Sequence, residues 1–145
     1  MSIVYEVGMG SVSVPVPPSA NHLFPTVNGR RVKSGEYRKW LKVAVPMLRL
    51  LARPKAYPVA AELTVEVKLS GTRDLDNMVK PLLDAAKQAG VIIDDNRSCV
   101  ADIRICYQPR ELGDGVRVRF VEVTDIEVSQ PRGKIGGDGL APVTP

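Results

Sequence analysis

Polar and apolar residues alternate early in the chain. In SVSVPVPP, Ser11 to Pro18, every second residue is apolar at first, as in a short strand with one buried face, and the prolines end it. TVNGRRV, Thr26 to Val32, turns at Asn28-Gly29, a pair suited to the positive φ angles of a two-residue loop, and so predicts a small hairpin. The period then changes. Ser34 offers a capping hydroxyl, and Tyr37, Trp40, Leu41, Ala44, Val45, Leu48 and Leu51 recur at helical spacing, with Arg38, Lys42, Arg49 and Arg53 on another face. Pro46 interrupts this helix. A proline there removes an internal hydrogen bond and crowds the preceding turn, which predicts a kink or a split near Val45.

Alternation returns in AELTVEVKLS, Ala61 to Ser70, which predicts a strand. A second helix follows Asp74-Leu75-Asp76-Asn77: Met78, Val79, Leu82, Leu83, Ala86 and Ala89 form one apolar face, Pro81 is tolerable only near its start, and Gly90 stops it. SCVADIRICY and GVRVRFVEV are two further strands joined by QPRELGDG, and their closeness in sequence predicts an antiparallel pair. From Ser129 to Pro145 the chain holds four glycines and three prolines, the composition of a disordered tail, which leaves residues 1–128 as the folded unit. No internal repeat is found.

Composition narrows the class. A chain of 145 residues with 44% hydrophobic and 25% charged residues fits one globular domain. No apolar run approaches the roughly 20 residues of a membrane span, and MSIVYEVGMGSVSV has neither the basic start nor the long apolar stretch of a signal peptide. A cytoplasmic protein is the expectation. The two cysteines, Cys99 and Cys106, are an odd number of residues apart on one predicted strand, so they point to opposite faces and do not pair.

Charge changes the picture more. Between Arg30 and Lys55 lie nine basic residues (Arg30, Arg31, Lys33, Arg38, Lys39, Lys42, Arg49, Arg53 and Lys55) against the single acid Glu36, while the rest of the chain is net acidic. A segment this basic attracts a phosphate backbone, although a solvated helix face is the ordinary use of such a run. Acid is concentrated elsewhere, at Asp74 and Asp76 and at Asp94 and Asp95. In an extended stretch, residues two apart project to the same side, so Asp74 and Asp76 have chelating geometry, and one of Asp94 and Asp95 can join them if the connection after the helix folds back. Three carboxylates suit Mg²⁺, a hard cation that prefers oxygen ligands. Each acid also has a structural explanation. Asp76 or Asn77 could cap the second helix, Asp94-Asp95-Asn96 could be a turn, and Lys80 could form a surface ion pair with Asp76.

RDLDNMVKPLLDAAKQAGVIIDD closely resembles the signature of the RusA-like endodeoxyribonucleases, the Holliday-junction resolvases of bacteria and their phages, and VPVPPSANHLF resembles the opening strand and turn of that family. The resemblance runs from about Val12 to Val123 and implies a small α+β fold, with a mixed sheet and two main helices. It also implies a homodimer that nicks branched DNA, such as a four-way junction, on two symmetry-related strands in a bacterial or phage-infected cytoplasm. Asp74, Asp76, Lys80 and Asp95 match the active-site residues, with Asn77 completing the first motif; Asp74, Asp76 and Asp95 would bind Mg²⁺, or Mn²⁺ as a substitute, and Lys80 would face the scissile phosphate. Arg30, Arg31, Lys33, Arg38, Lys39 and Lys42 are the candidate DNA contacts, with Arg73 and Arg97 beside the acids as secondary ones.

Two other classes compete. A non-catalytic DNA-binding protein would use the basic segment alone. A phosphatase of the haloacid-dehalogenase type also carries a D-x-D motif, but places it after an apolar strand that KLSGTRDLD lacks. The lone His22 reads as structural or exposed, Trp40 as core, and Asp84 as a solvated acid or a partner for Lys80.

Overall fold

The computed structural model describes residues 10–71 and 73–123; the predicted tail from Ser129 lies outside them. Strand β1 (Ser11–Val14) leads through a loop to the hairpin β2 (Thr26–Val27) and β3 (Arg30–Arg31). As predicted, Asn28 and Gly29 make the turn with φ angles of 54° and 75°. Helix α1 (Gly35–Leu48) starts where Ser34 Oγ accepts the Tyr37 N–H at 3.0 Å. It does not split at Pro46. The proline lies in the last turn, so the helix lacks the one bond its N–H would have made, ends two residues later at Leu48 and continues as a 3₁₀ turn at Arg49–Leu51.

Strand β4 (Val59–Val65) lies earlier and is shorter than the alternation from Ala61 to Ser70 implies. After it come a 3₁₀ turn (Leu75–Met78), helix α2 (Val79–Gln88), and strands β5 (Val100–Tyr107) and β6 (Val116–Glu122). The main sheet has the order β1-β6-β4-β5. β5 and β6 are therefore not the predicted antiparallel pair. β4 lies between them, antiparallel to β6 and parallel to β5. Burial accounts for this order: β4 is buried or half-buried throughout, while only Val100 of β5 is fully buried, so β4 takes the centre and polar β5 the edge. The connection between β5 and β6 crosses the end of β4, where Gln108 N–H bonds Val65 O and Glu66 N–H bonds Gly115 O, both at 2.9 Å.

Val59, Ala61, Leu63 and Val65 of β4 join Val116, Val118 and Phe120 of β6 and the apolar faces of α1 and α2 in one core. The alternate residues carry polar groups on the other face, where Glu62 pairs with Arg119 at 2.6 Å and Glu66 with Arg117 at 3.2 Å. This mixed sheet with two helices on one face is the expected α+β architecture. Trp40 is core, its Nε1 donating to Pro15 O at 2.8 Å, and His22 is exposed. Both cysteines are free.

Candidate active site

The segment leaving β4 reaches α2 through Asp74, whose backbone is extended (φ −82°, ψ 140°), and then tightens into the 3₁₀ turn that contains Asp76. The two acids are thus not neighbours along one extended stretch, and the simple alternation reading does not describe them. Their structural alternative fails as well. Neither Asp74, which precedes the 3₁₀ turn, nor Met78, which precedes α2, makes a side-chain cap, and the carboxylates of Asp74 and Asp76 have no protein partner among the described residues. Asp76 is exposed and does not pair with Lys80.

Lys80 turns the other way. Its Nζ lies 3.2 Å from Asp84 Oδ1 and 3.8 Å from Asp95 Oδ2. Asp95 is therefore brought back to the first turn of α2, as the fold-back of the connection requires. Asp94 has different partners: its Oδ1 accepts the Asp95 N–H at 2.8 Å and sits 3.1 Å from Lys87 Nζ, while its Oδ2 accepts from Asn96 Nδ2 at 3.1 Å. The Asp95 N–H and then the Lys87 ammonium hold the Asp94 carboxyl below the usual aspartate range, and Asp94 in turn pushes Lys87 upward. Asn96 Oδ1 closes the turn by accepting from Ser98 N and Cys99 N. Of this acidic turn, Asp94 and Asn96 serve the backbone and Asp95 faces the lysine.

Arg73 is not an exposed phosphate ligand. It is half-buried, its guanidinium donates to Pro17 O, and its Nε is buried with no partner among the described residues. Desolvation pushes its pKa down, with Glu36 opposing the shift. It tethers the Asp74 segment to the proline loop. Arg30, Arg31, Lys33, Arg38, Lys39, Lys42 and Arg97 are all exposed. Arg31 lies 5.6 Å over the Phe24 ring and Arg38 donates to Lys33 O at 2.6 Å, so hairpin and helix start are braced against each other.

Comparison with known proteins decides the family. The family description "Endodeoxyribonuclease RusA" matches residues 14–120. The chain belongs to the RusA endodeoxyribonuclease family. Among RusA relatives, the crossover junction endodeoxyribonuclease RusA of Escherichia coli O139:H28 is 28% identical over 117 residues, covering 79% of this chain and 96% of that protein. The RusA protein of the same name from Aquifex aeolicus is 31% identical over 98 residues, covering 66% of this chain and 77% of its own. The RusA match includes both acidic clusters, Lys80 and the exposed basic residues.

A divalent cation implied by the RusA resemblance finds suitable chemistry here, because Asp74, Asp76 and Asp95 offer only hard oxygen donors. They do not form a closed cage. Among the described residues no three His, Cys, Asp or Glu side chains come together closely enough to hold a metal ion. Like charges without a counter-ion repel, and Asp95 is drawn to Lys80 instead. Mg²⁺ usually keeps several waters and takes one or two carboxylates with phosphate oxygens, so an open set of acids fits it.

Sequence reasoning missed Tyr37, whose hydroxyl donates to Asp84 Oδ2 at 3.2 Å. Its helical spacing marked it only as core. The four-residue interval between Lys80 and Asp84 was the available signal for the rest of this contact.

Proposed function

We propose that the protein is a Mg²⁺-dependent endodeoxyribonuclease that resolves four-way DNA junctions by paired nicks, with Mn²⁺ as a substitute metal. The observation that carries this reading is the approach of Asp95 to Lys80 in the first turn of α2, the helix that follows the segment with the exposed Asp74 and Asp76, unpartnered among the described residues. Family membership supplies the reaction class.

Asp74, Asp76 and Asp95 would hold the cation. When bound, it would lower the pKa of a coordinated water and offset charge on the scissile phosphate. Lys80 is a point charge on a flexible stem, suited to binding a non-bridging phosphate oxygen, and a Lys80–phosphate contact would replace its contact with Asp95. The exposed residues Arg30, Arg31, Lys33, Arg38, Lys39 and Lys42 would carry the DNA backbone toward this point, with Arg97 as a secondary contact. Tyr37, which touches Asp84 of α2, directly precedes Arg38, so the basic helix start adjoins the lysine. Each subunit has one such cluster and a four-way junction needs two cuts, which favours a two-fold homodimer. We infer from a junction-DNA substrate that the enzyme works in the cytoplasm; separately, no helix among the described residues is long and apolar enough to cross a membrane.

The test is cleavage of four-way, flap and linear duplex DNA with and without Mg²⁺. Paired nicks in the four-way substrate that require the metal are expected. Asp76→Asn and Asp95→Asn should abolish them and leave junction binding intact or tighter, because each removes a ligand and a negative charge. Tight binding without any cutting by the wild type would return the protein to the non-catalytic class.

A further inference from the structure

An exposed lysine paired with an aspartate four residues later on a helix is ordinarily a weak and mobile contact. The Lys80–Asp84 pair has a different support. The Asp84 side chain is only 18% exposed, against 57% for Lys80, and both of its oxygens are engaged. Oδ1 meets the Lys80 ammonium, and Oδ2 accepts the Tyr37 hydroxyl at 3.2 Å. A carboxylate held at both oxygens cannot rotate freely.

Tyr37 is itself immobilised. It is 1% exposed, its ring meets Phe24 edge-on at 5.7 Å and stacks on Trp40 at 6.3 Å, and its N–H is bound by the capping Ser34. Burial, and then the nearby Asp84 charge, push its pKa far up, so the phenol keeps its proton and remains a donor. A rigid hydroxyl on α1 therefore fixes a carboxylate on α2, and the carboxylate fixes the ammonium. Without that fixed acceptor, Lys80 would sample many rotamers.

We propose that Asp84 and Tyr37 are positioning residues that hold the Lys80 ammonium at Asp95 and couple the start of α1 to the cleavage site. This rests on the nuclease reading for its consequence in catalysis, but the geometry itself can be tested without cutting. Lys80 is pre-placed before a phosphate arrives, so less freedom has to be lost in reaching the transition state. Neither positioning residue needs to touch DNA or metal.

The experiment compares wild type, Tyr37→Phe, Asp84→Asn, Lys80→Met and the double variant Lys80→Met/Asp84→Asn. In metal-free, DNA-free protein, NMR reads the two Lys80 Hε protons, assigned by their disappearance in Lys80→Met. They should be inequivalent in wild type and merge in Asp84→Asn, with Tyr37→Phe between the two. On four-way junctions with Mg²⁺, Asp84→Asn should lower kcat roughly tenfold to a hundredfold and leave KM within about twofold, because placement rather than binding is lost. The double variant should be no slower than Lys80→Met. Tyr37→Phe keeps the buried ring and decides the matter if Asp84→Asn does not fold. Merged Hε signals in wild type, or an Asp84→Asn loss that adds fully to that of Lys80→Met, would overturn the proposal. If wild type cuts no branched DNA, the nuclease reading fails, while the Hε signals still decide whether Lys80 is positioned.

Discussion

Adjacent aspartates at the end of the α2 connection have separate partners. Asp95 Oδ2 faces Lys80 at 3.8 Å, whereas Asp94 binds the Asp95 N–H, Asn96 and Lys87. The spacing alone shows only that two acids follow the helix, and the family resemblance singled out Asp95; the physical reason, that the turn uses Asp94 to accept its own N–H group, appears only in three dimensions. Asp94→Asn is therefore expected to nick junctions at close to the wild-type rate, while its stability should respond less to acid. The Asp94 carboxyl is held below its ordinary pKa by hydrogen bonds to its charged form. Its stabilising contribution is complete above the unfolded value, near pH 4, and is lost as the pH falls through the lower folded value. Glu66 acts in the same direction, held low chiefly by its hydrogen bond from Arg117. Melting temperatures measured from about pH 5 down to pH 2 should fall less steeply in Asp94→Asn and in Glu66→Gln than in wild type. An unchanged slope in both would show that these pairs do not respond to acid.

Elements with one clear period were legible. The Ser34 cap, the Asn28-Gly29 turn and the apolar face of α2 all stand where the pattern puts them. Strand pairing was not legible, because SCVADIRICY and GVRVRFVEV carry no mark of the strand that separates them. The clue lay in Val59 and Ala60, buried residues that extend β4 before the alternation and suit a centre strand. Crossing the end of β4 also makes a demand on the β5–β6 connection. A Cβ on Gly113 would land on the Glu66 carbonyl oxygen, and one on Gly115 on that of Val14. Backbone cannot yield as a side-chain tip can. Gly113→Ala and Gly115→Ala should each lower stability by about 1–3 kcal/mol, in the range of other overpacking substitutions, as read by urea unfolding. A midpoint equal to wild type would mean the connection can lift off the end of β4 at Gly113, or off β1 at Gly115.

At the scale of the whole molecule, net charge understates the asymmetry of its distribution. Six exposed basic residues lie between Arg30 and Lys42, while acid is concentrated at Asp74, Asp76, Asp94 and Asp95. If all six displace counterions from phosphates, the logarithm of junction affinity should fall against that of salt with a slope of about −5 per subunit, and Arg38→Ala/Lys39→Ala/Lys42→Ala should make it shallower by about 3. A slope unchanged by the triple substitution would remove α1 from the DNA surface. The general attraction was readable from the charge run; the withdrawal of Arg73 into a tether was not, since only packing against Pro17 reveals it. The sheet order has a further, temporal consequence. Among the described residues β6 is the last strand made, yet it lies between β1 and β4 and pairs Arg119 with Ser11. Until residue 122 has emerged from the ribosome, β1 has no strand to join and β4 keeps one open edge. Assembly must wait for contacts spanning nearly the whole described chain, the kind that form slowly. A chain still being synthesised therefore holds Asp74, Lys80 and Asp95, which all lie between β4 and β5, beside a sheet that still lacks β6.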